Sequence, residues 1–272
     1  MNKLKEKLKN NELSLGTWLQ TNSPDNAEIL SNLDFDWICV DLEHGSIDIC
    51  SLPNIFRAIE NGGCSPLVRL PLNDEVWIHR SLDAGARGLI IPMIKTPQDV
   101  KDVIKKSNYP NIGERGFGFS RANKYGSSFY ESISTVNDDI VIIIQIEHIK
   151  AIDNIDQILE IDRIDATLIG PYDLSGSMNI VGDFDNLLFK KKLDYYLSVS
   201  KKNKIPAGIH LVKPTKKNIY NSIKNGYKLI ALGTDAVFLE KKAKEILSYI
   251  IDKQTNQKNS SFYFVGENKI NF

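Results

Sequence analysis

The stretch DIVIIIQIE (Asp139–Glu147) decides the fold. From Ile140 to Ile144 it is apolar without alternation, the pattern of a strand buried on both faces of a parallel sheet. Working outward, similar runs rich in β-branched residues recur: LSLGTWL (13–19), DWICVD (36–41), PLVRL (66–70) and GLIIP (88–92) before it. DATLIG (165–170), IPAGIHL (205–211) and KLIALG (228–233) follow it. Helical stretches separate them, announced by start signals such as Ser23-Pro24 and Thr96-Pro97, a capping side chain followed by a proline in the first turn. Lys213-Pro214-Thr215 marks another start. Alternating strand and helix units fit a closed (β/α)8 barrel or an open doubly wound sheet. An open sheet usually carries a Gly-rich turn after its first strand, and GTWLQTNSPD is not G-x-G-x-x-G. Eight units without a composition break favour the TIM barrel. The reading is one barrel domain over 1–252 and a C-terminal extension over 253–272, first polar and then carrying FYFV.

Composition narrows the function classes. The 272 residues hold 34 Lys+Arg against 34 Asp+Glu, so net charge gives no electrostatic reason to expect a nucleic-acid partner. No apolar run approaches the roughly 18 residues of a membrane span, and MNKLKEKLKN lacks the apolar region of a secretory signal. The three cysteines, Cys39, Cys50 and Cys64, form no C-x-x-C and read as reduced thiols of a cytoplasmic protein. One segment breaks the repeat: residues 109–131 are long for a connector and carry Arg115, Arg121 and several glycines and aromatics, which marks an ordered, functional loop.

Barrel chemistry sits at the C-terminal ends of the strands. There the sequence delivers Asp41, Glu43 and His44 after the second strand, Arg69 at the third, Gln145 and Glu147 at the fifth, and Gly170-Pro171-Tyr172-Asp173 at the sixth. Gln145 and Glu147, two apart, point the same way. Any one of these alone is an ordinary cap or rim residue; four strands delivering them to one mouth is not required by solvation. Glu147 and Asp173 are hard oxygen donors suited to Mg²⁺ or Mn²⁺ with positions left open, whereas zinc asks for His and Cys. Arg69 is a planar fork for a carboxylate or enolate, and His44 is an acid/base group for neutral pH. Together they suit enolate chemistry on a 2-oxo acid.

These residues resemble the HpcH/HpaI family of metal-dependent pyruvate aldolases from about Gly16 to Leu239. GTWLQTNSPDNAEIL, DWICVDLEHG, PLVRL, LDAGARGLIIPMIKT, ERGFGFSRANKYG, QIE, GPYDLS, PAGIHL and ALGTDAVFL stand in family order. The resemblance implies a (β/α)8 barrel of the phosphoenolpyruvate/pyruvate superfamily and an oligomer, a hexamer, with the eighth helix exchanged between subunits. It implies Glu147 and Asp173 as ligands of a divalent metal ion (Mg²⁺, Mn²⁺ or Co²⁺) and Arg69 as the enolate-stabilising residue. Gln145 would orient metal-bound water or substrate. Backbone N–H groups near Gly170–Asp173 would hold the pyruvate carboxylate, with Pro171, Tyr172 and His210 beside them. Asp41 and Glu43 would support the metal's water shell. His44 would pair with Asp83, which lies just before the fourth strand and so near the opposite end of its own barrel. Asp83 therefore acts either through a climbing loop or in a neighbouring subunit.

Three positions depart from the family pattern. Tyr172 replaces a small or amide residue, His148 a Thr or Ser, and His210 an aliphatic side chain; all bear on the aldehyde partner. The activity read from this set is reversible retro-aldol cleavage of a 4-hydroxy-2-oxo acid to pyruvate and an aldehyde, both small-molecule partners. Two rivals stand beside it: a citrate-lyase-like enzyme acting on a coenzyme A thioester, and a non-catalytic 2-oxo-acid-binding homologue.

Overall fold

A computed structural model of the chain describes residues 2–249. Eight parallel strands close into a barrel in sequence order: β1 (Ser14–Leu19), β2 (Trp37–Asp41), β3 (Ser65–Arg69), β4 (Gly88–Ile91), β5 (Val141–Ile146), β6 (Ala166–Ile169), β7 (Ala207–Leu211) and β8 (Leu229–Thr234). Each lies within a run read from the sequence or one residue beyond it, so the barrel expectation holds and the open sheet falls. β1 pairs with β8 as well as β2, which removes both sheet edges.

The helices are α1 (Lys3–Lys9), α2 (Pro24–Ser31), α3 (Leu52–Asn61), α4 (Glu75–Ala84), α5 (Pro97–Ser107), α6 (Phe129–Asp139), α7 (Ile149–Asp153), α8 (Ile155–Leu159), α9 (Pro171–Ser177), α10 (Leu187–Asn203) and α11 (Lys216–Lys224). Their starts follow the sequence chemistry. The Ser23 hydroxyl accepts the Asn26 N–H and Thr96 forms a reciprocal capping box with Asp99. At the third start the cap is Thr215 itself, so Pro214 precedes the helix instead of opening it.

The interior follows strand alternation. Trp37 and Cys39, Val141 and Ile143, Ala166 and Leu168, and Leu229 and Ala231 point inward, joined by Trp18, Leu67 and Ile90 in one buried cluster. Gly16 makes room for the largest of these, because a Cβ there would stand 2.0 Å from the Trp37 ring. The helix α1, unforeseen from the sequence, places Leu4 and Leu8 (i, i+4) in the same cluster and plugs the N-terminal end of the barrel.

The first compact unit ends at Asp235. A helix over 235–249 follows, whose part beyond Asp235 belongs to a second unit with Leu239, Ile246, Leu247 and Tyr249 exposed. The extension over 253–272, FYFV included, lies outside the described residues. Among the described residues no helix is long and apolar enough to cross a membrane.

Candidate active site

The mouth is built on Arg69. It ends β3, and Asp41, its register partner on β2, takes it from the side: Nε donates to Oδ1 at 2.9 Å and Nη2 to Oδ2 at 2.7 Å. Both residues are buried, and the Trp18 ring lies 4.4 Å beneath the guanidinium. Gln20, directly after β1, donates to Asp41 Oδ2 at 3.0 Å, and the Glu43 and His44 N–H groups donate to Oδ1. Burial acts to raise the Asp41 carboxyl, but Arg69's hydrogen bonds and charge, with Gln20, outweigh it and hold the group below its ordinary value.

This corrects one expectation. Asp41 does not face outward to a metal's water shell, since both its oxygens hold Arg69, Gln20 and the following backbone. Two arms of the fork are thereby fixed, and Nη1 is turned to Glu43 at 3.1 Å.

Opposite, Gln145 and Glu147 share a face as their spacing demands, and Gln145 Nε2 donates to Glu147 Oε2. The other oxygen, Oε1, accepts the Met93 N–H at 2.5 Å, delivered by the left-handed backbone of Met93 after β4. Gly170 leaves space for this carboxylate, because a Cβ there would sit 3.1 Å from Glu147 Oε2. Asp173, in the first turn of α9, is exposed at the rim.

Four carboxylates thus share the mouth with one arginine. Burial raises Glu147, against the bonds from Gln145 and Met93, and Asp173's charge adds to it. Glu43 is pushed up to about 7, first by burial and then, against Arg69, by Glu147, Asp41 and Asp173. His44 stands outermost, its side chain 60% exposed and Nε2 3.8 Å from Glu43 Oε2.

His210 points inward on β7 beside Trp18, ring centroids 5.3 Å apart, and among the described residues its shielded Nε2 has no hydrogen-bond partner. Shielding from water, then Arg69's charge, brings its pKa down to about 4, so the ring is neutral. Tyr172 leans on Phe184 at 5.1 Å. His148 caps α7, its Nδ1 accepting the Lys150 N–H.

Asp83 is not part of this mouth. A helix after a strand runs back toward the barrel floor, and Asp83 sits in the last turn of α4, ion-paired with Arg115 at 2.7 Å. Within one chain the His44–Asp83 dyad does not form, and a climbing loop is excluded. Sequence reasoning passed over Gln20 and Asp235. Gln20 had a signal, an amide directly after a strand. Asp235, after β8, accepts the Gln20 and Thr21 N–H groups at 2.8 and 3.2 Å and so holds the β1 end of the mouth.

Fold and mouth together define a (β/α)8 barrel with an arginine set among clustered carboxylates at its mouth, and the comparisons with known proteins say which family it belongs to. A family model described as HpcH/HpaI aldolase/citrate lyase matches residues 14–240. The chain is 35% identical to 4-hydroxy-2-oxovalerate aldolase of Novosphingobium aromaticivorans, over 89% of this chain and 92% of that one. It is 30% identical to 2-dehydro-3,6-dideoxy-6-sulfogluconate aldolase of Pseudomonas putida, over 94% and 100%. The crystal structure of an HpcH/HpaI aldolase/citrate lyase family protein from Burkholderia cenocepacia J2315 superposes with a TM-score of 0.88 at 28% identity, covering 92% of this chain and 99% of that one. The chain belongs to the HpcH/HpaI aldolase/citrate lyase family. It is a carbon–carbon lyase, and the aldolase reading of its sequence agrees with these relatives.

Proposed function

We propose that this lyase is a divalent-metal-dependent pyruvate aldolase, cleaving a 4-hydroxy-2-oxo acid reversibly to pyruvate and an aldehyde. The observation that carries the reading is the charge imbalance of the mouth, where Glu43, Glu147 and Asp173 gather around an arginine already committed to Asp41. Among the described residues no group of three or more His, Cys, Asp or Glu forms a closed cage. Glu147 and Asp173 still fit an open site: both are hard oxygen donors, Gly170 keeps space beside Glu147, and the buried Gln145 Oε1 has no hydrogen-bond partner among the described residues. These two carboxylates would hold Mg²⁺, Mn²⁺ or Co²⁺. What such an ion supplies is Lewis acidity toward the 2-oxo acid.

The chain's own residues do the rest. Gly170 N–H is used by Ile146 O and Pro171 has none, so the first turn of α9 offers the N–H groups of Tyr172 and Asp173 to the substrate carboxylate. His44 takes the proton of the C4 hydroxyl. The C3–C4 bond breaks, the electron pair stays on the pyruvate half as its enolate, and the aldehyde leaves. Arg69 Nη1 faces the enolate oxygen, preset by Asp41 and Trp18. Protonation at C3 gives pyruvate. Tyr172 and His210 border the aldehyde half.

The test is a pyruvate-release assay with and without EDTA, alongside Glu147→Ala and Asp173→Ala. Chelation should stop release reversibly and either substitution should abolish it. Full activity in EDTA removes the metal from this account.

Assembly and location extend the reading. Exposed apolar side chains on α2 and in the turn after it (Ile29, Leu33), on 117–130 (Phe117, Phe119, Tyr125, Tyr130) and on the second unit support a homo-oligomer, a hexamer by resemblance. A neighbour then completes the dyad with its Asp83. A monomeric mass in solution would end this part. The free cysteines support a cytoplasmic setting.

A further inference from the structure

The segment 109–131 takes no part in the chemistry above, yet it carries a buried arginine. Arg115 has a side chain 1% exposed. Its Nη2 meets Asp83 and its guanidinium carbon lies 4.6 Å over the Tyr109 ring, while Nε and Nη1 have no hydrogen-bond partner among the described residues. Buried donors of a charged fork are rarely left unmatched.

Arg115 lines a cavity of about 400 Å³ under the C-terminal ends of α3 and α4, on the side of the barrel away from the mouth. Its wall is strongly cationic. Arg57, Arg87, Arg121 and Lys124 join Arg115, against Glu60 and Asp139. Arg121 is committed to Glu60 and to the Ala84 carbonyl at 3.2 Å, and Arg87 stands 4.0 Å from Glu60. Arg57 and Lys124 have no ion pair among the described residues. The backbone supplies a separate observation. Lys124 and Tyr125, neighbours on the wall, both have left-handed conformations, φ 52° and 55°, which non-glycine residues seldom adopt in succession.

We infer that this cavity is a second binding site, for a small metabolite bearing a carboxylate or phosphate dianion, held by Arg57, Arg87 and Lys124 with the buried charge of Arg115 behind them. The chemistry is the match between planar guanidinium donors and oxyanion acceptors, in a recess where Coulomb attraction is less screened than at the surface. Occupation ties the segment 109–131 to α3 and α4, and so to the helix that carries Asp83. The site needs nothing from the aldolase reading.

The experiment is calorimetric titration of the full-length protein at low ionic strength with inorganic phosphate and, separately, succinate. Saturable binding by phosphate alone assigns a phosphate ligand, by succinate alone a carboxylate ligand, and by both the shared oxyanion class. The double substitution Arg57→Gln/Lys124→Gln should weaken binding by about tenfold or more, the scale of a lost charge-assisted contact. Ala122→Glu adds a carboxylate to the exposed lining without removing an existing side-chain bond, and should weaken it likewise. Glu147→Ala should bind as wild type, which separates this cavity from the mouth. No saturation up to tens of millimolar, binding indifferent to both cavity variants, or binding lost in Glu147→Ala overturns the inference.

Discussion

The two ends of the same eight strands treat charge in opposite ways. At the floor, two ion pairs sit beside the barrel, and the carboxylate of each also holds a strand backbone. Lys5 meets Asp165 at 3.1 Å, whose Oδ2 also accepts the Ile142 N–H, and Lys7 meets Asp36 at 2.6 Å, whose Oδ2 accepts the Leu15 N–H. Between them Leu4 and Leu8 close the barrel with apolar surface. At the mouth the acids outnumber the bases, and Glu43 and Glu147 are held above their ordinary ionisation range. Matched charge at the floor finishes the fold, whereas unmatched charge at the mouth is retained against stability and marks the chemistry.

That contrast can be broken from either end. The largest effect is expected at Arg69. Arg69→Lys keeps the charge but loses the fork, and Asp41→Asn loosens its hold; each should lower kcat about 100-fold or more, the scale of a lost transition-state donor. A change confined to KM would leave Arg69 a mere binding group. At the floor, Leu4→Ala should cost about 2–5 kcal/mol of stability by opening a cavity, measured by denaturant unfolding, with kcat unchanged well below the melting range. A matching loss of kcat at low temperature would show that the two ends are not separable. The smallest effect is a slope. With the Glu43 pKa about 7 in the native state and near 4.3 unfolded, the folded chain holds a proton that the unfolded chain releases. Stability of the chelated protein should therefore fall as pH rises through that window. Glu43→Gln should flatten the curve, leaving the variant the more stable at pH 8 and near wild type at pH 5. Parallel curves would mean that Glu43 titrates normally.

How much of this was legible depended on whether a signal is local. Strand positions were, because a doubly buried strand must be apolar at every residue: DWICVD (36–41) becomes Trp37–Asp41 and KLIALG (228–233) becomes Leu229–Thr234. The gathering of Arg69, Gln145 and Glu147 was legible for the same reason, since strand ends converge in a barrel whatever the partners. Roles were not. Whether Asp41 turns to a metal's water or to Arg69 is settled by a neighbouring strand's register, which one run of residues does not contain. Asp83 shows the same limit, its Arg115 lying in a loop far along the chain. The short amphipathic α1 was hidden because its charged residues dominate MNKLKEKLKN, and only the barrel's open floor explains why two leucines suffice.

The closure of β1 on β8 has a consequence for how the chain comes off the ribosome. Thr17 donates to Leu232 O and Gln20 to Asp235, each across 215 residues, so the first strand made waits for the last. Contacts of such separation form slowly, because a long loop must close before they form. Until Thr234 has emerged, both β1 and β7 are unpaired edges rich in apolar side chains, open to strands of other nascent chains. A chain stopped short of β8 is therefore not a smaller barrel but an open sheet with two adhesive borders, and its fate is aggregation or capture by a chaperone.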